Sequence, residues 1–251
     1  MAKRSARRAM RRMQDSAHLP DVDNVRRLFD EPSWSPTDDQ DRTQKYRKNI
    51  RAQNESQQQL LDAIDKSSLA FAIGSAGTGK TYLAVAKAVE ALDAGDVRRI
   101  ILSRPAVEAG ESLGFLPGDL EEKLSPYLRP LYDALCDRLS SKRLKALMAE
   151  GVIEIAPIAY MRGRTLNNAY IVIDEAQNCT YGQLKMLLTR LGWNSCMVVT
   201  GDPEQTDLLP GMSGLSDVVD KLDAIESVEI VRFTRGDVVR HPLVADVIDA
   251  L

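Results

Sequence analysis

The chain has 251 residues, of which 44% are hydrophobic and 27% charged, so it can build a substantial core and is not wholly disordered. No apolar run reaches the roughly 18–20 residues that a membrane-spanning helix needs. Three cysteines without CxxC spacing and only two histidines argue against a disulfide scaffold, a zinc module and a histidine-rich metal centre, and they favour a cytoplasmic protein.

The net charge of −3 hides an asymmetry between the amino-terminal tip and the rest of the chain. Six of the 33 basic residues lie among residues 1–13, which contain no acid; the remainder carries 27 basic and 36 acidic residues. Only the tip carries the net positive charge that would attract phosphate groups, because the rest of the chain is acidic. The tip is a solvated tail, an arm that folds on an acid-rich partner, or an organelle transit peptide.

Residues 1–50 mix charged and polar residues with three prolines, so we interpret them as a flexible basic and polar extension before a domain at 51–251. In that domain, short apolar runs that are typical of buried strands alternate with segments of helical periodicity. The predicted strands are 69–73, 99–103, 153–156, 170–174, 197–200 and 228–231. The predicted helices are 81–92, 130–139, 142–150, 180–191 and 241–251. This alternation predicts an α/β fold, a mostly parallel sheet with helices on both faces.

The last predicted helix, 241–251, has two interpretations. It begins with a proline and carries its apolar residues on one side. Such a helix either closes the core or docks on a neighbouring subunit.

The turn after the first predicted strand carries the pattern G-x-x-x-x-G-K-T, directly before a predicted helix. Its residues are Gly74, Ser75, Ala76, Gly77, Thr78, Gly79, Lys80 and Thr81. The glycines let backbone N–H groups curl around a β-phosphate, and the start of the helix adds partial positive charge. We expect Lys80 to bridge the β- and γ-phosphates and the Thr81 hydroxyl to bind magnesium. The pattern therefore predicts a nucleoside triphosphate site with Mg²⁺.

Polar residues at two later strand ends complete the predicted site. Asp174 and Glu175 follow the fourth predicted strand, at an edge that lies beside the phosphate loop in such sheets. We expect Asp174 to hold the Mg²⁺ shell and Glu175 to polarise the attacking water, although two acids at a strand end are otherwise an ordinary solvated pair. After the next strand, Asp202 is expected to orient water or metal and Gln205 to sense the γ-phosphate; Gly-Asp-Pro is also a common turn. Upstream, Gln57 either reads the adenine edge or belongs to a polar helix start.

These motifs and the segments between them resemble the PhoH family. The resemblance covers about residues 53–245 and rests on GSAGTGKT, SRPAVEAGESLGFLPGDLEEKLSPYLRPLYDAL, EIAPIAYMRGRTLNNAYIVIDEAQN, LLTRLG and VVTGDPEQTDL. Members of that family are P-loop NTPases with a RecA-like fold, related to the first motor lobe of superfamily 1 helicases. The resemblance implies binding and hydrolysis of ATP with Mg²⁺, an RNA-linked role and ring-shaped oligomers.

The chain also departs from some members of that family. Certain relatives carry an amino-terminal nuclease domain of the PIN type, and the roughly 50 residues before the core here are too few for one. We therefore expect no ribonuclease activity, and the RNA-binding-like domain of longer members is not expected either. In this respect the chain resembles the short forms that bacteriophages encode.

A helicase motor closes two lobes on its nucleotide, whereas only 46 residues follow Gln205 here, too few for a second lobe of about 100–150 residues. We therefore expect a neighbouring copy to supply the other wall of the site, including an arginine. Head-to-tail contacts that close give rings, and we expect a homo-oligomer, a hexamer with its active sites between subunits. The candidate arginines, each of which is otherwise a surface charge or an ion-pair partner, are Arg240, Arg190, Arg104, Arg162 and Arg164.

Two classes of function remain open. The first is an oligomeric ATPase that moves or remodels RNA or single-stranded DNA, with the basic tip and the aromatic residues Phe115, Tyr127 and Tyr160 as candidate contacts. Each of these aromatic side chains otherwise packs within its own loop. The second is a protein that binds ATP in order to assemble and touches no nucleic acid. A small-molecule kinase is disfavoured, because Glu175 and Gln205 favour water as the acceptor.

Overall fold

The computed structural model describes residues 50–105 and 120–239. The predicted extension and the predicted helix 241–251 therefore lie outside the described residues. Within them, the strands are β1 (Leu69–Gly74), β2 (Arg99–Arg104), β3 (Ile153–Pro157), β4 (Ala169–Ile173), β5 (Cys196–Gly201) and β6 (Val228–Phe233). The helices are α1 (Glu55–Lys66), α2 (Lys80–Ala94), α3 (Leu120–Cys136), α4 (Ser141–Ala149), α5 (Tyr181–Leu188) and α6 (Leu215–Leu222). Short 3₁₀ helices cover Ile158–Met161, Ala176–Asn178 and Arg235–Asp237.

The six strands form one sheet in the order β3-β2-β4-β5-β1-β6, and every neighbouring pair is parallel. The prediction of a parallel α/β sheet is confirmed, and each predicted strand corresponds to an observed one. Because β4, β5 and β1 are adjacent, the loops that follow them meet at one edge of the sheet. The chemistry-bearing motifs follow these same three strands.

Both faces of the sheet are covered, which explains why its strands are continuously apolar. Alternate residues of β1 face opposite sides: Ala70 and Ala72 belong to the core cluster under α1, α2, α3 and α4, whereas Phe71 and Ile73 belong to the cluster under α5 and α6. Phe71 is fully buried, and truncating such a side chain to alanine costs about 3–5 kcal/mol of stability. None of the described helices is both long and apolar enough to cross a membrane.

The observed helices differ from the predicted ones in three places. The helix predicted at 130–139 is α3, which begins at Leu120 and carries Pro126 and Pro130 in its interior. Proline usually ends a helix, so the sequence placed Pro130 at its start. The burial of Leu131 and Leu135 in the core favours the continuous helix. The eight-residue helix α6 was not predicted although its buried residues Leu215, Val218 and Val219 recur at helical spacing, because its length falls short of the about 10–12 residues that distinguish a helix. Helix α1 was anticipated only as one of the two interpretations of Gln57.

Candidate functional site

The loops after β1, β4 and β5 enclose an open cleft of about 240 Å³. Its walls combine the phosphate-loop pattern with the polar residues of the two later strand ends. The lining residues are Ala76, Gly77, Gly79, Lys80, Thr81, Tyr82, Asp174, Glu175, Thr200, Gly201, Asp202 and Gln205. The structure therefore brings the predicted loop, the acidic pair and the glutamine to one site.

Two glycines shape the loop between β1 and α2. Gly74 has φ of +132°, and a Cβ there would lie 2.0 Å from the carbonyl oxygen of Phe233 on β6. Gly79, the residue before α2, has φ of +86° and approaches the amide of Gln57. Both positions exclude other residues, because the backbone is left-handed and the space is filled. The loop thus ends with the backbone N–H groups of a 15-residue helix pointing at the cleft, which is an anion-binding arrangement.

Lys80 is buried at the base of this loop. Its Nζ donates to the carbonyl oxygens of Gly74 at 2.6 Å and Ser75 at 2.7 Å. Burial lowers the pKa of Lys80 below its ordinary value, and the nearby carboxylates, Asp202 first, oppose that shift. The ammonium is therefore held by neutral oxygens at a point where a phosphate would be a stronger partner.

Asp174 follows β4 and organises the centre of the cleft. Its Oδ1 accepts hydrogen bonds from the hydroxyls of Thr81 and Thr200, both at 2.6 Å, and its backbone N–H donates to Ser103 at 2.9 Å. Strand, helix and carboxylate are thus fixed to one another. A hydroxyl and a carboxylate oxygen are ligands that Mg²⁺ accepts, and this ion keeps several waters besides. The residues present fit a divalent cation beside a phosphate tail.

Glu175 is the next residue and also lines the cleft. It adopts a left-handed backbone (φ of +52°), a conformation that costs a non-glycine residue about 1–3 kcal/mol and often marks functional sites. Arg104, at the end of β2, lies 3.4 Å from Glu175 Oε1 and 3.7 Å from Asp174 Oδ2. Arg104 was one of the arginines predicted to reach the cleft of a neighbouring copy, whereas in the structure it contacts Asp174 and Glu175 of its own chain.

Gln177 is the functional residue that sequence reasoning missed. Its side chain is 1% exposed, and its Nε2 donates to Glu175 Oε2 and, at 3.3 Å, to the carbonyl of Gln205. Its Oε1 accepts from the backbone N–H of Asp202 at 3.0 Å. One amide therefore joins the loop after β4 to the loop after β5. Its place two residues after Glu175, inside the motif, was the available signal.

The loop after β5 is tied to the phosphate loop as well. Asp202 Oδ2 accepts the backbone N–H of Ala76 at 3.0 Å, and Oδ1 accepts that of Glu204 at 3.1 Å. Gln205 lies on the exposed rim of the cleft. Its role as a γ-phosphate sensor stays a prediction, as does the role of Asp202 toward water or metal.

Gln57 lies on α1 and is buried behind the loop. Its Nε2 donates to the carbonyl of Thr78 at 2.9 Å, and its Oε1 accepts from the backbone of Gln53 at 2.8 Å. Gln57 therefore lies near the start of a helix, as one of its two interpretations has it, and it also supports the phosphate loop through Thr78. Contact with adenine stays a prediction.

The remaining arginine candidates are scattered. Arg190 lies just beyond α5, and its guanidinium donates to the oxygens of Met186, Arg164 and Thr189, each at 3.2 Å. Arg164 forms a two-pronged ion pair with Glu154, with distances of 2.5 and 2.7 Å. Arg162 is exposed. Arg240 and the predicted contact Phe115 lie outside the described residues.

The two other aromatic candidates differ in exposure. Tyr160 is half exposed on the 3₁₀ helix after β3, and Tyr127 is partly buried on α3. Neither residue lines the cleft. Their contact with nucleic acid stays a prediction.

Comparison with known proteins agrees with this geometry. A sequence model of the PhoH family, described as PhoH-like protein, matches residues 49–251. The PhoH-like protein of Bacillus subtilis (strain 168) is 57% identical over 204 residues, which are 81% of this chain and 64% of the relative. Protein PhoH of Escherichia coli (strain K12) is 47% identical over 204 residues, which are 80% of this chain and 58% of the relative. The chain thus spans about three fifths of the length of these curated relatives.

Among solved structures, the large terminase from a thermophilic bacteriophage is similar with a TM-score of 0.50 at 14% identity. The match covers 78% of this chain and 49% of the terminase. At this identity the likeness concerns the fold alone, which is the RecA-like lobe of P-loop NTPases. Because the family model covers residues 49–251 and the relatives share about half of their aligned residues or more, the chain belongs to the PhoH family.

Proposed function

We propose that this chain hydrolyses ATP with Mg²⁺. The observation that carries the proposal is the pair of 2.6 Å hydrogen bonds that Asp174 accepts from Thr81 and Thr200. They hold a carboxylate and the loop hydroxyl at one point beside the start of α2. A Mg²⁺ ion bound with a nucleotide needs only one or two such protein ligands, since substrate phosphates and water supply the others.

In the proposed reaction, the amides of loop 74–81 and the ammonium of Lys80 hold the β- and γ-phosphates. Lys80 exchanges two carbonyl oxygens for phosphate oxygens, because an anionic acceptor binds the ammonium more strongly than a neutral one. Glu175 takes a proton from water as the water oxygen bonds to the γ-phosphorus; the bond from that phosphorus to the bridging oxygen breaks, which releases ADP. Gln205 contacts the γ-phosphate. Thr81 and Asp174 would hold the Mg²⁺ ion, which would supply positive charge to offset that of the phosphate oxygens.

The substitution Glu175→Gln tests the proposal, because the amide keeps the shape of the side chain and cannot accept the proton. We expect ATP binding within twofold of the wild type and a turnover reduced by about 10²–10⁴-fold. The control is Glu90→Gln on the exposed face of α2, which leaves turnover unchanged. A wild-type protein that does not hydrolyse ATP with Mg²⁺ at any protein concentration contradicts the proposal. Turnover that survives Glu175→Gln removes Glu175 from the role of base.

We also propose that the chain works in the cytoplasm as a homo-oligomeric ring, a hexamer whose neighbour supplies an arginine to each cleft. Within residues 50–105 and 120–239 the cleft is open on the side of Gln205, and Arg104 is already paired with Asp174 and Glu175. An arginine acting on the transition state is worth about 10³–10⁵ in rate. We expect the rate per subunit to fall when dilution separates the subunits. A rate that stays constant and high down to monomer concentrations contradicts the ring.

We propose further that hydrolysis is coupled to RNA or single-stranded DNA. The basic tip supports this, whereas the acidic remainder supports the alternative, a nucleotide-gated assembly that binds no nucleic acid. ATP turnover with and without RNA or single-stranded DNA separates the two. Stimulation that weakens as salt is raised supports coupling. If neither RNA nor single-stranded DNA changes the turnover or the assembly state, the alternative is supported.

A further inference from the structure

Trp193 lies at the amino ends of β4 and β5, at the opposite end of the sheet from the cleft. Its side chain is 85% exposed, more than any other large hydrophobic side chain of the described residues. Its backbone N–H donates to Asn167 Oδ1 at 2.8 Å, and its carbonyl accepts from the N–H of Asn168 at 2.9 Å and the hydroxyl of Ser195 at 3.2 Å. We call residues 190–195 the Trp193 loop.

A tryptophan held in this way is suited to docking. Aromatic side chains bury 150–250 Å² each, and tryptophan is the residue type most enriched among interface hot spots. Ordering a mobile loop costs free energy on binding, and the backbone hydrogen bonds of Trp193 reduce that cost because they fix the backbone of the loop. The loop therefore presents an exposed apolar side chain from a fixed backbone.

Two arginines adjoin the anchor, and the exposed Asp96 precedes them in the chain. Arg99 on β2 donates to the carbonyl of Asn167, and the backbone N–H of Arg98 donates to the carbonyl of Asn168, so both arginines adjoin the Trp193 loop. In residues 50–105 and 120–239, neither Arg98 nor Arg99 forms an ion pair. Arg190 lies within the loop itself. A partner surface with acidic and apolar groups would complement this end of the molecule.

The rim of the cleft carries such a surface on the same chain. Leu209 is 76% exposed and Met212 is 52% exposed, in the loop that continues from Gln205. The acids Glu204 and Asp207 are exposed beside them. Glu204 lies 3.7 Å from the exposed Arg235, and Asp207 accepts a hydrogen bond from Asn178 at 2.9 Å. We call residues 204–212 the cleft rim. The two ends of one molecule are therefore complementary in charge and in apolar character.

Resting on the proposed ring, we propose that the Trp193 loop of one copy docks on the cleft rim of the next and brings Arg190 into that cleft. Arg190 is unable to serve its own cleft, because β4 alone separates the two ends by about 16 Å at 3.3 Å per residue. Its present acceptors are neutral oxygens at 3.2 Å, which a γ-phosphate outcompetes. Contacts between two different surfaces run head to tail and close into a ring.

The fluorescence of Trp193 tests the docking directly. The chain has two tryptophans, so Trp34→Phe leaves Trp193 as the sole reporter. We expect its emission to shift to shorter wavelength as the protein assembles with Mg²⁺ and ATP, because docking removes the indole side chain of Trp193 from water. Sedimentation on the same sample measures assembly. Assembly with unchanged emission overturns the inference and leaves the proposed ATPase intact. Emission that changes on adding single-stranded RNA to monomers, without assembly, also overturns it, since Trp193 then binds nucleic acid.

Substitutions at the two surfaces give a second test. We expect Trp193→Ala and Leu209→Asp each to raise the protein concentration needed for assembly by at least about tenfold, the loss typical of a hot-spot residue. The matched control is Ile225→Ala, which changes an exposed apolar residue outside both surfaces and leaves assembly unchanged. Assembly of both surface variants at the wild-type concentration overturns the inference. Circular dichroism checks that each variant is folded.

Mixed assemblies test the contribution of Arg190. Arg190→Ala has an intact cleft and no arginine to donate, whereas Glu175→Gln has a dead cleft and an intact arginine. When equal amounts mix at random, about a quarter of the head-to-tail interfaces join a cleft with Glu175 to a neighbour with Arg190. Turnover should therefore recover to about a quarter of the wild-type value. Mixed rings that form and remain inactive overturn the assignment. Wild-type protein without turnover instead contradicts the proposed function, so the two failures are distinct.

Discussion

The two ends of the sheet use their polar side chains differently. At the carboxyl ends of β1, β4 and β5, buried charged side chains bind hydroxyls and backbone groups, as Asp174 does with Thr81 and Thr200 and Lys80 does with two carbonyl oxygens. At the amino ends, neutral side chains such as Asn167 and Ser195 bind the backbone groups of the connecting loops. Side chains of the first kind can exchange a protein partner for a ligand, whereas those of the second kind fix the shape of a loop. One end is therefore suited to chemistry and the other to presenting a surface.

The largest expected effect is at Lys80, at the carboxyl end of the sheet, where the cleft lies. We expect Lys80→Ala to reduce kcat/KM for ATP by about 10³-fold or more, because a charged hydrogen bond to the transferred phosphoryl group is lost. The matched control is Lys87→Ala on the same helix, whose ammonium pairs with Asp65 at 2.6 Å and Glu90 at 3.1 Å. Steady-state ATP turnover measures both. Equal losses in the two variants would mean that helix α2 is damaged and that Lys80 has no special role.

Gln177 and its neighbour Asn178 separate a positioning role from a structural one at the same end of the sheet. We expect Gln177→Leu to lower kcat by about 10–100-fold with little change in KM, because the leucine cannot hold the Glu175 carboxylate or the loop after β5. The neighbouring Asn178 is the control: its side chain binds Asp207 and not the Glu175 carboxylate, and its backbone N–H donates to the carbonyl of Glu175 at 3.0 Å, a bond that alanine keeps. Asn178→Ala should keep kcat within about threefold of the wild type, whatever its effect on stability. A larger loss in kcat for Asn178→Ala than for Gln177→Leu would contradict the positioning role.

At the other end, Ser195 should affect stability and not chemistry. Its hydroxyl accepts from the N–H of Ala169 at 3.0 Å and donates to the carbonyl of Leu166 at 2.7 Å. We expect Ser195→Ala to lower the free energy of unfolding by about 1–3 kcal/mol, because the N–H of Ala169 loses its partner and the carbonyl of Leu166 keeps only the N–H of Gly192. The KM for ATP should stay within about twofold. Denaturant unfolding and turnover on one preparation measure both, and a changed KM at full stability would break the distinction between the ends.

The core between the two ends sets the response to alkaline pH. Burial raises the pKa of Cys179 to about 12 and of Cys196 to about 11, and it raises the pKa of Tyr170. A folded-state pKa above the unfolded value means that the folded state binds more protons at alkaline pH. Stability is therefore full below about pH 8.5 and is lost as the pH rises from about 9 toward 12. Thermal unfolding across this range should show a falling Tm; a Tm that rises would contradict the burial of these groups.

The sequence predicted the parallel sheet well because its signal is local. Each strand is a short apolar run, as in β4, and the phosphate loop is a contiguous pattern beside one of them. The meeting of that loop with Asp174 also follows from sequence, since the carboxyl ends of parallel strands share one edge. These features depend on periodicity and on a general rule of topology.

The remaining features depend on contacts that the sequence does not display. Nothing in the order of residues says that Gln177 spans two loops, that Arg104 pairs with acids of its own chain, or that Gln57 braces Thr78. The interior prolines of α3 also oppose the local rule, and tertiary burial of Leu131 and Leu135 outweighs it. Long-range pairing and burial therefore decide the parts of the site and fold that propensity alone cannot.

The central claim is that Lys80, Thr81 and Asp174 converge on the triphosphate tail of a magnesium-bound ATP. The most direct measurement is the affinity for ATP as a function of Mg²⁺ concentration, in the wild type and in Asp174→Asn. We expect Mg²⁺ to tighten ATP binding to the wild type and to have at least about tenfold less effect on the variant, because removal of a group that orients the metal weakens its binding by about 10–100-fold. An identical response to Mg²⁺ in the two proteins would contradict the account.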